Sequence, residues 1–373
     1  MSKDHKESLN PIHLIVQHRL PLQFLISAVF IGILIWRVDI RQTIETFGAV
    51  NYGWVLPALI VFSLSKLLHS IRWQMLLKAT ERAPVAELFG IYLVSNMTNN
   101  AIPFRAGDVL RIQVPAERFG IPRAELTSSV IVVETVFDAF TFFVLLLAVL
   151  TFLGLPAVPA QLVLGLSLGA LTAFIGLLLI ARIRPPRHLA ESRWTRIFSD
   201  NARRRIAEIV PQLLEGLQAM REMPRLGRVL AISFPAWLVE ALMFWLLGLA
   251  FGLGLQPHEY IVVMIGANLI VSLPITPWNL GTYEFVVQEV AAGLGANRSV
   301  AAAYAFGTHI FTIIWITITG LLAVWFLNLS LRDIMSLGRK EMRGGEEMKG
   351  SAVEGPAEEG EDEEGPQRWP GMG

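Results

Sequence analysis

Long uninterrupted apolar blocks, rather than narrow helical stripes, set the pattern of this chain. Six blocks reach span length, at 21–37, 51–71, 126–150, 160–181, 229–253 and 300–327. A helix of about 20 apolar residues crosses the hydrocarbon core of a bilayer, so each block predicts a full membrane span. Two further apolar stretches, 87–104 and 261–296, differ from the six. Proline, glycine and polar side chains interrupt each of them in the middle. The first leads into Asn99–Ile112, "NNAIPFRAGDVLRI", and the second contains "PITPWNLGTYEFVV".

Charge placement decides how these two stretches run. Lys and Arg collect on the cytoplasmic side of membrane proteins. Lys3, Lys6 and Arg19 put the N-terminus inside, and Arg72, Lys78 and Arg82 put the end of the second span inside. The loop 182–228 holds eleven arginines against five acids, which places it inside, and Arg332, Arg339 and Lys340 place the tail there. Both termini are therefore expected in the cytoplasm. Residue 82 and the Arg118–Arg123 region then lie on one side, so the stretch between them enters and returns. The same parity applies to 261–296. Non-helical backbone at membrane depth is tolerated only where protein or a watered cavity surrounds it. Both turns follow one pattern: Pro103, an aromatic residue, two more residues, Gly107 and then Asp108; and Pro277, an aromatic residue, two more residues, Gly281 and then Glu284. An offset of 174 residues relates the turns, and also relates span 51–71 to 229–253 and span 126–150 to 300–327. The expected fold is all-α: a polytopic integral membrane protein with about six full spans and two re-entrant hairpins in a candidate inverted repeat. Such repeats, with broken helices meeting near the midplane, characterise carriers that alternate access.

Composition agrees with the pattern. Hydrophobic residues make up 53% and charged residues 17%, against about 25% charged in soluble domains, and the mean hydropathy is +0.52. With 31 basic and 31 acidic residues there is no bias toward nucleic acid. The absence of cysteine excludes disulfides, thiol nucleophiles and cysteine metal sites. The first apolar run lacks a small-residue cleavage site and closes on Arg37, which favours a retained helix over a cleaved signal. Three regions follow: an N-terminal arm 1–20, a membrane domain 21–330, and a tail 331–373. The tail is acidic and rich in Gly and Pro, a composition that predicts disorder. Within the loop 182–228, "RWTRIFSDNARRRIAEIVPQLLEGLQAM" is basic and amphipathic, suited to anionic lipid headgroups.

Ionisable residues inside spans are the candidate functional groups, because each costs about 2.5–3.5 kcal/mol at the bilayer centre. Lys66, His69 and Arg72 recur every three residues. Arg105, Asp108 and Arg111 cluster on the exit of the first hairpin, and Glu134 and Asp138 share a helix face. The second hairpin offers Asn279, Tyr283 and Glu284, and the last span offers His309 in a polar stripe with Tyr304, Thr308 and Thr312. Pro103, Gly107, Pro277 and Gly281 are expected to shape the turns. Two readings stay open: pairs that hold helices together, or a polar cavity offering arginines to an anion such as phosphate, which their planar fork suits. Gly165–Gly169 matches a hydrolase nucleophile elbow but lies in an apolar span, where helix packing explains it, as it does Gly248 and Gly252. Asn297-Arg298-Ser299 matches a glycosylation sequon of low specificity. Histidine spacing predicts no metal site, and no cofactor is expected.

Four blocks in order, "SIRWQMLL", "NAIPFRAGDVLRI", "VETVFDAF" and "PITPWNLGTYEFVV", resemble the signature blocks of the lysylphosphatidylglycerol synthase transmembrane-region family, also called flippase-like. The resemblance covers about residues 15–330. It implies an inner-membrane protein that moves a lipid with a polar headgroup between leaflets. By position it marks Arg72, Trp73, Pro103, Arg105, Gly107, Asp108, Arg111, Glu134, Asp138, Pro277, Gly281 and Glu284. Where the family pattern has Glu-Arg, this chain has Glu134-Thr135, which puts the headgroup preference in doubt. The family's aminoacyl-lipid synthases carry a large soluble transferase domain, which an acidic, low-complexity tail of about forty residues does not provide, so lipid synthesis by this stand-alone form is not expected. Relatives of the stand-alone form are linked to hopanoid and polyprenyl-phosphate-sugar pathways. The partners implied are a membrane lipid or polyprenyl-phosphate-linked substrate and an enzyme that makes it. Three functions remain open at this point: a carrier, a membrane-embedded transferase acting on a lipid-phosphate, or an accessory factor of a lipid, hopanoid or polyprenyl-sugar pathway.

Overall fold

Inside a bilayer no water satisfies backbone N–H and C=O groups, so an apolar chain satisfies them within helices. Every element among the described residues is accordingly helical. The computed structural model describes residues 19–77, 83–102, 106–130, 135–153, 223–273 and 275–330, with a few positions between 168 and 179. In chain order these are α1 (Arg19–Arg37), α2 (Ile40–Gly48), α3 (Val55–Leu76), α4 (Val85–Ala101), α5 (Ala106–Phe119), α6 (Arg123–Thr127), α7 (Thr135–Ala148), α8 (Met223–Phe251), α9 (Glu259–Ser272), α10 (Thr282–Gly293) and α11 (Arg298–Phe326). The chain divides into units at Ser330, and all of these elements belong to the first. The N-terminal arm to residue 18, the tail 331–373 and the expected span 160–181, apart from isolated positions, lie outside the described residues.

Among the described residues, three stretches are long and apolar enough to cross a membrane: 52–76, 226–251 and 298–326. They contain most of the expected spans 51–71, 229–253 and 300–327. The expected span 21–37 is helix α1, which breaks into α2 with a bend of 89°. Asp39 caps α2 by accepting from the Gln42 N–H at 3.1 Å. Span 126–150 falls on α6, α7 and the helical turns around them, described on either side of residues 131–134. The basic loop ends earlier than its composition suggested, because α8 begins at Met223. Its Pro224 occupies the first turn, where a missing N–H costs nothing.

Helix directions follow from paired contacts. Asn51 N–H donates to the Ala250 carbonyl at 2.9 Å, and Ser65 Oγ donates to the Ala236 carbonyl at 3.0 Å, so α3 and α8 are antiparallel. Tyr260 packs on Gly248 and Asn268 reaches Glu240, so α9 returns antiparallel to α8. His69 faces Tyr92, and Gln74 Nε2 donates to the Ala83 carbonyl at 2.8 Å, so α4 likewise runs back along α3. Gly90 meets Leu327 and Gly320 meets Met97, which sets α11 antiparallel to α4. First residues Val85 of α4 and Glu259 of α9 lie 174 positions apart. Since α3 and α8 oppose each other, α4 and α9 do as well. Contacts repeat in the same way: α3 on α4 and α8 on α9, α4 on α5 and α9 on α10.

Small residues make the tight crossings. A Cβ on Gly248 would lie 2.1 Å from Tyr260 Oη, so this glycine admits the α9 tyrosine. Gly252 does a different job from the packing expected of it. Its φ of +63° ends α8, with Leu253 N–H donating back to the Gly248 carbonyl at 2.9 Å. Asn297 caps α11 by accepting from the N–H groups of Ser299 and Val300, which gives the sequon-like triplet a structural role.

Candidate functional site

Buried charge gathers first where α3 meets α8. Lys66 Nζ lies 2.7 Å from Glu240 Oε2, and Ser65 Oγ donates to the same oxygen at 2.9 Å. Asn268 of α9 donates to Glu240 Oε1 at 3.1 Å. Glu240 is 2% exposed, so three groups from two helices satisfy a carboxylate sealed from bulk water. Nearly two turns further along α3, Arg72 pairs with Asp138 of α7, while Trp237 Nε1 donates to the same Asp138 oxygen at 2.9 Å. Ser233, Trp237 and Glu240 recur at positions that share one face of α8.

Between these pairs lies His69, 1% exposed. Its ring stands 4.6 Å from Trp237, edge to face, and parallel to Tyr92 at 6.2 Å. Neither ring nitrogen has a hydrogen-bond partner among the described residues. Lys66, Arg72 and Arg111 all act on it electrostatically. Arg111 reaches here from α5, its guanidinium 4.5 Å from the rings of both Trp73 and Tyr92. A guanidinium packed on aromatic rings keeps its N–H donors in its own plane, the geometry that recognises a carboxylate or phosphate.

A second centre forms on α10 and α11. Glu284 is 1% exposed and divides its oxygens. Oε2 accepts from the Gly281 N–H at 2.7 Å, and Oε1 lies 2.6 Å from His309 Nδ1. Tyr283 stacks on His309 at 4.3 Å and lies in electrostatic range of both Glu284 and Glu240, so the two centres adjoin. Gln288, one turn after Glu284, is fully buried, with no partner for its amide among the described residues.

Each hairpin turn is built around its glycine. A Cβ on Gly107 would lie 2.0 Å from the Ser95 carbonyl oxygen. Asn99 spans that turn, accepting from Gly107 N–H at 2.8 Å and donating to Asp108 at 3.2 Å. Gly281 has φ +86°, and a Cβ there would approach the Ser27 carbonyl oxygen to 2.8 Å. Pro277, Trp278 and Asn279 form a single 3-10 turn, with Trp278 at φ +54° and Asn279 at +56°.

The first centre thus gathers Lys66, His69, Arg72, Arg111 and Asp138, and the second gathers Tyr283, Glu284 and His309. Asp108 and Asn279 serve the hairpin turns. Pro103, Arg105 and Glu134 lie outside the described residues. Glu240, Asn268, Trp237, Ser233 and Tyr92 escaped the sequence reading. A glutamate inside the apolar block "WLVEALMF" is the signal that marks Glu240. Of the polar stripe on α11, Tyr304 donates to the Phe244 carbonyl at 3.0 Å and Thr312 bonds its own helix.

These features define an all-α polytopic membrane protein with a charged interior. Over residues 21–320 the chain matches the lysylphosphatidylglycerol synthase TM region family, and it belongs to that family. It is similar to the glycosyltransferase AglD of Haloferax volcanii, 27% identical over 74% of this chain and 49% of that protein. It is also similar to a UPF0104 membrane protein of Methanothermobacter thermautotrophicus, 23% identical over 85% of this chain and 98% of that one. The chain spans about half the length of AglD. No solved structure matches it.

Proposed function

We propose that this chain is a carrier that moves a lipid with a phosphate-bearing headgroup between the leaflets of the inner membrane. The observation that carries this reading is the buried set of charged groups between two oppositely directed halves. Lys66–Glu240 and Arg72–Asp138 join α3 to α8 and α7, and Glu284–His309 joins α10 to α11. Such groups are rare inside membrane proteins and mark substrate or ion pathways. A phosphate entering beside Arg72 and Arg111 competes with Asp138 for the guanidinium, and the released carboxylate loosens α7 from α3. Exchange of partners, rather than a vacant cation, then binds the headgroup.

The hairpins support the same reading. Helices α4 and α9 hold 17 and 14 residues, or about 25 and 21 Å, below the roughly 30 Å hydrocarbon thickness. Helices of this length stop short of the opposite face, so both glycine turns lie within the hydrocarbon layer, reached from opposite sides. The basic composition of 182–222 suits anionic headgroups at the cytoplasmic face, and an enzyme that makes the lipid supplies the substrate.

The test is leaflet exchange by the purified full chain in phosphatidylcholine vesicles carrying fluorescent phosphatidylglycerol, with dithionite quenching of the outer leaflet. Exchange without any added donor supports the carrier. The name of AglD favours a second reading, a transferase acting on a lipid-phosphate. That reading is upheld instead if the lipid is altered only when a nucleotide sugar is added and no exchange occurs. Within the carrier, Arg111→Lys keeps the charge and loses the planar fork and the two-ring stack. Exchange is expected to fall on the order of tenfold while the melting temperature shifts little. Equal exchange removes Arg111 from headgroup recognition.

A further inference from the structure

The Glu284–His309 pair has a chemistry that headgroup binding does not use. An ionised carboxylate only accepts, so His309 donates Nδ1–H to Glu284 Oε1, and the tautomer is fixed with Nε2 as the basic nitrogen. Among the described residues Glu284 has no lysine or arginine within ion-pair distance, because Lys66 serves Glu240. With neutral His309 the pair carries one net negative charge at a site that is 1% exposed on the carboxylate and 8% on the imidazole. Adding one proton at Nε2 turns it into a neutral ion pair without breaking either hydrogen bond of Glu284.

The turn that Glu284 holds is strained. Trp278 and Asn279, neither of them glycine, take left-handed φ values beside Gly281. A bulky residue in that region persists only when its surroundings hold it there, and such residues cluster at functional sites. What holds this turn is Glu284 Oε2 on Gly281 N–H, the Thr276–Thr282 hydroxyl pair at 2.8 Å, and Ser27 Oγ on the Leu280 carbonyl at 2.7 Å.

We propose that Glu284 and His309 form a proton-binding site, and that proton uptake there stabilises the α9–α10 turn and so selects one state of the carrier. The proposal rests on the carrier reading only for its last clause. Among the described residues, the groups that face the pair are few. On α10 and α11 they are Tyr283 and Tyr304, on α8 Glu240 with Lys66 of α3 as its partner, and on α9 Asn268. Helix α1 presents Ser27 near the turn, and its Arg37 pairs with Glu289 at the far end of α10. From α4, Glu87 pairs with Arg118 and Tyr92 stacks on Arg111. His309 is the group among these that is bonded to Glu284, so a proton on its free ring nitrogen acts on that carboxylate directly.

The chain has no cysteine, so one introduced at Leu280, which is 41% exposed, carries a nitroxide at a single place beside the turn. Its spin-resonance line shape is recorded across about pH 5 to 8 in detergent. The expected result is a one-proton transition that disappears in both Glu284→Gln and His309→Gln and persists in His69→Gln. Glutamine at 284 keeps an acceptor for Gly281 N–H, so the turn still forms. A line shape that does not titrate in the otherwise unaltered chain overturns the proposal, as does a transition that survives both substitutions. In vesicles, an imposed pH gradient is expected to change lipid exchange on the order of tenfold, and His309→Gln to remove that response. A titrating turn with no lipid exchange leaves the proton site standing and removes the carrier. Exchange with a turn that does not titrate does the reverse.

Discussion

At the scale of single residues, the interior charges are a poor way to stabilise a bundle and a costly thing to break in half. Replacing a buried ion pair by packed apolar side chains is often neutral or stabilising, whereas removing one partner costs about 3–5 kcal/mol. Lys66 and Glu240 are suited to that comparison because both are buried and Glu240 also gathers Ser65 and Asn268. Lys66→Met and Glu240→Met are each expected to lower thermal stability in detergent by that amount, and the double variant to recover most of it. A recovered but transport-inactive double variant assigns the pair to function. Full activity in it assigns the pair to structure. The sequence made half of this pair visible. Lys66, His69 and Arg72 stand out by their spacing, while Glu240 was passed over because its block was read as a uniform span. Aromatic partners such as Tyr92 and Trp237 were invisible for a physical reason: ring contacts with Arg111 and His69 depend on which helices meet, and single aromatic residues in apolar blocks carry no spacing signal.

At the scale of elements, the turns at Gly107 and Gly281 were the most legible feature. Proline excludes an internal helical N–H and glycine permits close approach or positive φ, so the motif encodes its own turn. The glycines nevertheless act differently. Gly107 is needed for space, since any Cβ collides with the Ser95 backbone, and Gly281 for both space and its φ of +86°. Gly107→Ala and Gly281→Ala are each expected to cost at least about 1–3 kcal/mol, as overpacking against backbone does. Scanning calorimetry of the purified variants measures this, and an unchanged transition in either means the turn relaxes without loss. Less legible was the 89° bend between α1 and α2. Asp39 was available as a cap, but "IRQTIETFG" has too few apolar positions to announce a helix by composition. Its one-sided pattern suits an element lying against α11, which it contacts.

At the scale of the whole molecule, antiparallel pairing gives counterpart helices opposite directions, and the membrane then dictates which ends share a side. If α4 and α5 enter and leave by one face, the end of α3 and the start of α6 lie together in the cytoplasm, and the α8–α9 connection lies opposite. The missing cysteine turns this into a direct measurement, because each introduced thiol is the only one in the chain. Positions 45, 117 and 256 are exposed, and positions 195 and 340 fall in the basic loop and the tail. With a membrane-impermeant maleimide on intact and on opened cells, 117, 195 and 340 are expected to react only after opening, and 45 and 256 before it. Position 117 carries the argument. The charge rule places it inside with Arg118 and Arg123, and only a returning hairpin allows that when residue 82 is also inside. Labelling of 117 from outside makes α4 a full crossing. Then α9, its counterpart at the 174-residue offset, has to cross as well, and the two glycine turns no longer meet the interior charges from opposite faces.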